Sequence, residues 1–257
     1  MNIQPPYGRQ GNKYNFRKDL IPLFPPHDVY VELFAGSAAL FFNKERADKN
    51  ILNDLDAFTY QNLKLLQSPP SADEIADFPP LTTLEDTKTF YDNTFHKPLT
   101  TKTEDAVLRK IITTTGFRNV PIPYNRSDKI FRSINMNRWL KKLPPFKDIL
   151  KGVKITNKDY EKIVKQYDSP TTFFFIDPPY ENTDKRFNYA ESVIFDFERL
   201  RRVVDTIKGK FLMTINDSNR IRELFKEFNM KEYSVDDTMK HRKGDPPKRA
   251  ELIITNY

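Results

Sequence analysis

Five residues, Thr172-Phe-Phe-Phe-Ile176, form an apolar run that is closed abruptly by Asp177-Pro-Pro-Tyr180. A run this short, bounded by a proline pair, reads as a strand buried in the middle of a sheet. Consecutive prolines fix φ, remove two backbone donors and push the residue before each toward extended geometry. The strand must therefore end at Asp177, and the chain leaves it as a stiff loop whose carbonyls can accept. The rest of the sequence repeats the rhythm. Asp28–Phe34, Asn50–Asn53, Gly152–Ile155 and Lys210–Ile215 are further short apolar runs, and helical spacing covers Ala57–Leu66, Asp159–Lys165, Phe195–Ile207 and Arg220–Phe228. That alternation predicts an α/β fold with a parallel sheet of βαβ units. Met230–Ser234 and Glu251–Thr255 are predicted to complete the sheet as an antiparallel pair.

The rhythm breaks once. Ser68-Pro-Pro70 and Phe78-Pro-Pro80 end it, and it returns after Pro144-Pro145. Between them lie helical patterns around Leu84–His96 and Glu104–Thr113, then an irregular basic stretch over Gly116–Arg138. The expected organisation is a catalytic α/β domain from residues 1–68 and 148–257, with residues 69–147 as an inserted, mainly helical region. Trp139, at helical spacing with Leu140 and Leu143, reads as core.

Composition narrows the chemistry. With no cysteine and three scattered histidines in 257 residues, disulfides and thiolate catalysis are excluded and no metal site is expected. A formal charge of +7 favours polyanionic partners. No stretch approaches eighteen apolar residues and the first thirty lack an apolar core, so no membrane span or signal peptide is read and a soluble, intracellular protein is expected.

Ligands of open α/β sheets bind beyond the carboxyl ends of the strands, which is where Asp177-Pro178-Pro179-Tyr180 falls. An exocyclic amine on a nucleobase is a poor nucleophile because its lone pair is delocalised. If the Asp177 carboxylate and the Pro178 carbonyl each accept one N–H, the nitrogen moves toward tetrahedral geometry and its lone pair can face a methyl donor. Tyr180 could then stack on the base. A bare D-P-P-Y is equally read as a strand end followed by a turn. Upstream, Glu32-Leu-Phe-Ala-Gly-Ser-Ala38 closes the first predicted strand, where Gly36 allows the close turn used near nucleosides, and Asp54 ends the second strand where Rossmann-like sites place a ribose acceptor. A solvated loop aspartate is the plain alternative for Asp54.

These motifs, in this order, resemble the Dam-type DNA adenine methyltransferases, in which the cofactor motif precedes the recognition segment and D-P-P-Y follows it. The resemblance covers nearly the whole chain. Gly11-Asn12-Lys13 is similar to the family's G-G-K element, with Tyr7 as the nearby aromatic; Asn12 departs from the second glycine, and Ala38 from the second glycine of the cofactor loop. Asp159-Tyr160 is similar to the D-F pair set against the cofactor adenine. Phe211–Ser218 resembles the strand and loop after the catalytic one, and Lys248–Tyr257 the closing K-x-x-E-L-L-I-T-N-Y.

The resemblance implies a Rossmann-like sheet and transfer of methyl from S-adenosyl-L-methionine to the N6 amino group of a flipped-out adenine in double-stranded DNA. Asp177, Pro178, Pro179 and Tyr180 would act on the base. Tyr7, Gly11, Lys13, Glu32, Phe34, Ala35, Gly36, Asp54, Asp159, Tyr160 and Asp177 would hold the cofactor. Arg118, Asn119, Tyr124, Asn125, Arg126, Lys129 and Arg132 stand where the family carries a DNA-contacting hairpin, and the basic loop from Lys240 to Arg249 could track phosphates. One of Phe187, Tyr189 and Phe195 could cover the other face of the base, with core packing the better reading of Phe195. A cognate restriction endonuclease is an admitted partner. The rival readings are RNA adenine N6 methylation, an inactive nucleic-acid-binding relative and, on chemical grounds, cytosine N4.

Overall fold

The computed structural model describes residues 2–8, 11–95, 97–115, 136–180, 195–236 and 248–257. Among them, seven strands make one sheet: β1 (Val29–Glu32), β2 (Lys49–Asn53), β3 (Lys154–Thr156), β4 (Thr172–Ile176), β5 (Lys210–Asn216), β6 (Asn229–Asp236) and β7 (Lys248–Thr255). Their spatial order is β3-β2-β1-β4-β5-β7-β6. β1 runs parallel to β2 and β4, β4 runs parallel to β5, and β7 is antiparallel to β5 and β6. The 3-2-1-4-5 order defines a doubly wound, Rossmann-like sheet, and its direction of winding reverses between β1 and β4. A crevice therefore opens beyond the carboxyl ends of those two strands, after Glu32 and after Ile176.

Why these runs become strands is visible in their burial. All five residues of β4 are buried, as expected of a central parallel strand covered on both faces. Val31, Phe174, Ile176, Met213, Ile215, Leu252 and Ile254 belong to one core cluster. Alternation along each strand puts Tyr30, Glu32, Phe173, Thr214 and Glu251 on the opposite face. Phe24 and His27 cover part of that face, with ring centroids 4.7 and 5.2 Å from Phe173. Each fully buried phenylalanine such as Phe174 or Phe211 stabilises the sheet by about 1.5–3 kcal/mol.

Ten α-helices occur among the described residues: α1 (Arg17–Leu20), α2 (Ala57–Gln67), α3 (Ala72–Ala76), α4 (Leu84–Thr94), α5 (Lys102–Thr115), α6 (Met136–Leu140), α7 (Phe146–Ile149), α8 (Tyr160–Tyr167), α9 (Phe197–Asp205) and α10 (Asn219–Leu224). Side-chain caps start most of them. Asp56, Asp159, Asp196 and Ser218 accept from backbone N–H groups of α2, α8, α9 and α10, and Ser71 and Thr83 complete capping boxes with Glu74 and Asp86. α8 and α9 supply Ile163, Val164, Leu200, Val203 and Val204 to the core cluster.

Two compact units result. One comprises Met1–Ile21, Gly36–Glu45 and Asp56–Ile155; the other comprises Pro22–Ala35, Arg46–Leu55 and Thr156–Tyr257. Residues 69–147, expected as an insertion, fall within the first unit together with flanking segments on both sides. In that unit Trp139 is half-buried rather than enclosed: its Nε1 donates to the Pro6 carbonyl (3.1 Å) and its ring meets Tyr7 edge-on at 5.4 Å, while Leu140 and Leu143 are fully buried. No described helix is long and apolar enough to cross a membrane.

Candidate active site

The loop leaving β4 begins with Asp177, one residue past the core-facing Ile176, so strand alternation turns its carboxylate to the opposite face. There the Thr214 hydroxyl, on β5, donates to Asp177 Oδ1 at 2.8 Å. Pro178 is buried, Pro179 exposed, and Tyr180 half-buried with its hydroxyl donating to Glu251 Oε2 on β7 at 2.9 Å. Glu251 is itself only 2% exposed. Both ends of the tetrapeptide are thus tied to the sheet, and the loop stands at the topological switch point.

Beside it, β1 ends in Glu32, which is buried and accepts from the Tyr30 hydroxyl at 2.8 Å. Burial and the Glu32 carboxylate raise the Tyr30 pKa well above the ordinary phenol value, so Tyr30 stays a neutral donor. Asn53, at the end of β2, joins three segments. Its Nδ2 donates to the carbonyls of Leu33 (3.0 Å) and Lys158 (2.9 Å), while its Oδ1 accepts from Thr156 Oγ1 (2.8 Å) and Lys158 N (3.0 Å). With Asn53 fixed, the next residue, Asp54, lies at the strand end as predicted and is buried. Asn157 holds the following turn by donating to the Asp54 and Leu55 carbonyls, each at 2.8 Å.

Asp159 caps α8 through Glu161 N and receives both terminal nitrogens of Arg199, at 2.6 and 2.9 Å. The fork geometry holds the Asp159 carboxyl below the usual aspartate range, with the α8 cap adding to the effect. Arg199 also bonds Glu161, whose pKa falls to about 2 through Lys165 and Arg199. Its guanidinium lies 4.8 Å from the Tyr160 ring centroid. Phe34, Tyr160 and Phe195 form an aromatic cluster with centroids 5.4, 5.7 and 6.0 Å apart. Phe195 also meets Phe197 at 5.0 Å, which bears out core packing for it. The Tyr160 hydroxyl is buried with no hydrogen-bond partner among the described residues, and burial pushes its pKa up to about 12. A buried hydroxyl left unsatisfied among aromatic rings, next to a carboxylate, is suited to the polar edge of a purine.

One unit thus brings together Glu32, Phe34, Ala35, Asp54, Asp159, Tyr160 and Asp177–Tyr180. The other holds Tyr7, Gly11, Lys13 and Gly36. There a cleft open to solvent is lined by Tyr7, Gly36, Pro6, Ser37 and Thr113 among others. Tyr7 is buried, its hydroxyl has no hydrogen-bond partner among the described residues, and burial raises its pKa. Lys13 Nζ donates to the Gly11 carbonyl at 3.1 Å. Gly36 and Ala38 both take left-handed backbone, at φ 52 and 54°. Ala38 holds a conformation that glycine would favour, at a cost of roughly 1–2 kcal/mol. Arg118, Asn119, Tyr124, Asn125, Arg126, Lys129 and Arg132 lie outside the described residues, as do Phe187, Tyr189 and residues 240–243.

Sequence reasoning did not assign Thr214, Glu251, Arg199 or Asn53. The first two meet partners 37 and 71 positions away, which no local pattern announces.

A Rossmann-like sheet with D-P-P-Y at its switch point defines a nucleic-acid amine methyltransferase as the class. Comparison with known proteins carries this further: residues 10–240 match the D12 class N6 adenine-specific DNA methyltransferases, and the chain belongs to that family. It is an enzyme that methylates adenine N6 in DNA, with S-adenosyl-L-methionine as methyl donor. The type II methyltransferase M.CviBI of Paramecium bursaria Chlorella virus NC1A is 28% identical over 247 residues, covering 89% of this chain and 90% of its own. M.MjaIII of Methanocaldococcus jannaschii, also a type II methyltransferase, is 32% identical over 154 residues, or 55% of this chain and 50% of its own. Among solved structures, precorrin 8W decarboxylase of Methanobacterium thermoautotrophicum aligns over 99% of this chain and 96% of its own at 10% identity and a TM-score of 0.45, a likeness that carries no functional reading.

Proposed function

We propose that the transfer step is carried by the loop after β4: Asp177 and the Pro178 carbonyl accept the two N–H bonds of the target amine, Pro179 stiffens the turn, and Tyr180 stacks on the adenine. The observation that supports this most is the position of the loop at the switch point with its carboxylate held by Thr214. Two acceptors placed on one amine draw its nitrogen out of conjugation and stabilise the positive charge that grows on it. No strong base is needed, because the N–H proton becomes acidic once the nitrogen is alkylated and can pass to Asp177 or to water. The base must leave the duplex to reach the loop.

When bound, S-adenosyl-L-methionine supplies an activated methyl on its sulfonium. We assign Phe34 and Tyr160 to its purine, with the Tyr160 hydroxyl and Asp159 at the purine's polar edge, and Asp54 to its ribose. Glu32, Ala35 and Gly36 form the loop that approaches it, and Tyr7, Gly11 and Lys13 are assigned to it by the family's motif. The Dam-type order of motifs supports reading Arg118, Asn119, Tyr124, Asn125, Arg126, Lys129 and Arg132 as DNA contacts, and a restriction endonuclease of the same target sequence is the partner proposed.

The test is transfer of labelled methyl from S-adenosyl-L-methionine to duplex DNA and to RNA in parallel, by wild type and by Tyr160→Ala. Label in DNA, with a raised KM for the cofactor in the variant, is the expected result. Label in RNA alone would replace the substrate, and an unchanged KM would remove Tyr160 from the cofactor.

A further inference from the structure

The opposite face of the sheet from the main core carries buried polar groups near its carboxyl edge, which a hydrophobic sheet does not require. Thr214 is 1% and Glu251 2% exposed, and burying a carboxylate is costly unless its bonds are made. Thr214 lies on β5 and Glu251 on the neighbouring β7, where the register sets Glu251 opposite Asn216 and Ile253 opposite Thr214. Each reaches one end of the same tetrapeptide: Thr214 Oγ1 donates to Asp177 Oδ1 at 2.8 Å, and the Tyr180 hydroxyl donates to Glu251 Oε2 at 2.9 Å. Between these two anchors stand only Pro178 and Pro179, which have no N–H and a fixed φ.

We infer that Thr214 and Glu251 are positioning residues of the methyl transfer, two adjacent strands gripping the catalytic loop at both ends. The inference rests on the reading that Asp177 and Tyr180 meet the target adenine. Thr214 sets the rotation of the Asp177 carboxylate, and so the direction from which it can accept an amine N–H. Glu251 fixes the tilt of the Tyr180 ring, and so the plane on which a base can stack. Because prolines link them, an error at one anchor is passed to the other rather than absorbed by the backbone. Neither residue touches the substrate. Their removal is expected in kcat and not in the cofactor's KM, since misplacing reacting groups by about an ångström costs up to roughly a hundredfold in rate.

The experiment measures kcat, KM for S-adenosyl-L-methionine and thermal midpoint for Thr214→Val, Thr214→Ser, Glu251→Gln, Tyr180→Phe and the double variant Glu251→Gln/Tyr180→Phe. Thr214→Val should lose about ten- to a hundredfold in kcat at a KM within about twofold, and Thr214→Ser should recover most of it. Glu251→Gln should lower kcat alone but add little once Tyr180→Phe has removed the hydroxyl it holds, a non-additivity that general destabilisation would not produce. Equal kcat for Thr214→Val and wild type, or additive effects of Glu251→Gln and Tyr180→Phe, would overturn the inference. Should Thr214→Val or Glu251→Gln fail to fold, Tyr180→Phe, which removes only the hydroxyl that Glu251 holds, carries the test: a lowered kcat is expected and an unchanged one would overturn the grip. Asp177→Ala separates the two readings: transfer that survives it removes Asp177 from the reaction and the grip with it, whereas transfer lost in it but untouched in the anchor variants rejects the grip alone.

Discussion

Tyr30 shows how much of this site is built from single buried polar contacts. Its ring is fully buried and its hydroxyl donates to Glu32 at the very end of β1. Tyr30→Phe keeps the ring and removes one donor from a buried carboxylate. The expected cost is about 1–3 kcal/mol of folding stability, read from the shift in urea midpoint at constant m-value. No change would mean that Glu32 re-pairs without strain. Thr214, Asn53 and Glu251 are likewise polar, buried and hydrogen-bonded, but to partners distant in sequence.

At the scale of elements, Arg199 of α9 joins to α8 through Asp159 and Glu161. Both carboxyls have folded pKa values below their ordinary ones, so their contribution to stability is present at neutral pH and is lost as pH falls from about 4.5 through the lowered values, toward about 2 for Glu161. Arg199→Met should flatten the fall of thermal midpoint across that window while lowering stability at pH 7; a variant whose acid profile matches wild type would show that the pairing is not what holds these groups ionised. Helices and strands differ in how plainly the sequence announced them. Strands such as β4 are covered on both faces, so they survive in the sequence as unbroken apolar runs, and the paired order of β6 and β7 was legible as well. α3 was missed although Ser71-Ala-Asp-Glu74 is a complete capping-box signal, because five residues are too few to show a period. The segment expected to be helical to Phe228 ends at Leu224, the chain turning at Phe225, which is fully buried in the sheet's core cluster. For the candidate site, the loop after β4 and the strand ends could be placed from the sequence because each is a contiguous string. The residues that hold those strings were not legible, since a hydrogen bond across 37 or 71 positions depends on sheet order.

For the whole molecule, the excess of 42 lysines and arginines over 35 acids gives a net charge of +7 on a chain whose substrate is a polyanion. Neutralising phosphates releases condensed counterions, so the association constant for duplex DNA should fall linearly on a log–log plot against salt, by roughly tenfold or more between 50 and 200 mM. An affinity indifferent to salt would shift the weight of binding from phosphates to the flipped base. The chemistry itself is tested most directly by digesting the methylated duplex to nucleosides and comparing wild type with Asp177→Ala under saturating cofactor. N6-methyladenine is the expected labelled product of wild type, with label lost in the variant while cofactor binding persists. N4-methylcytosine as the labelled product, or N6-methyladenine formed undiminished by Asp177→Ala, would contradict it.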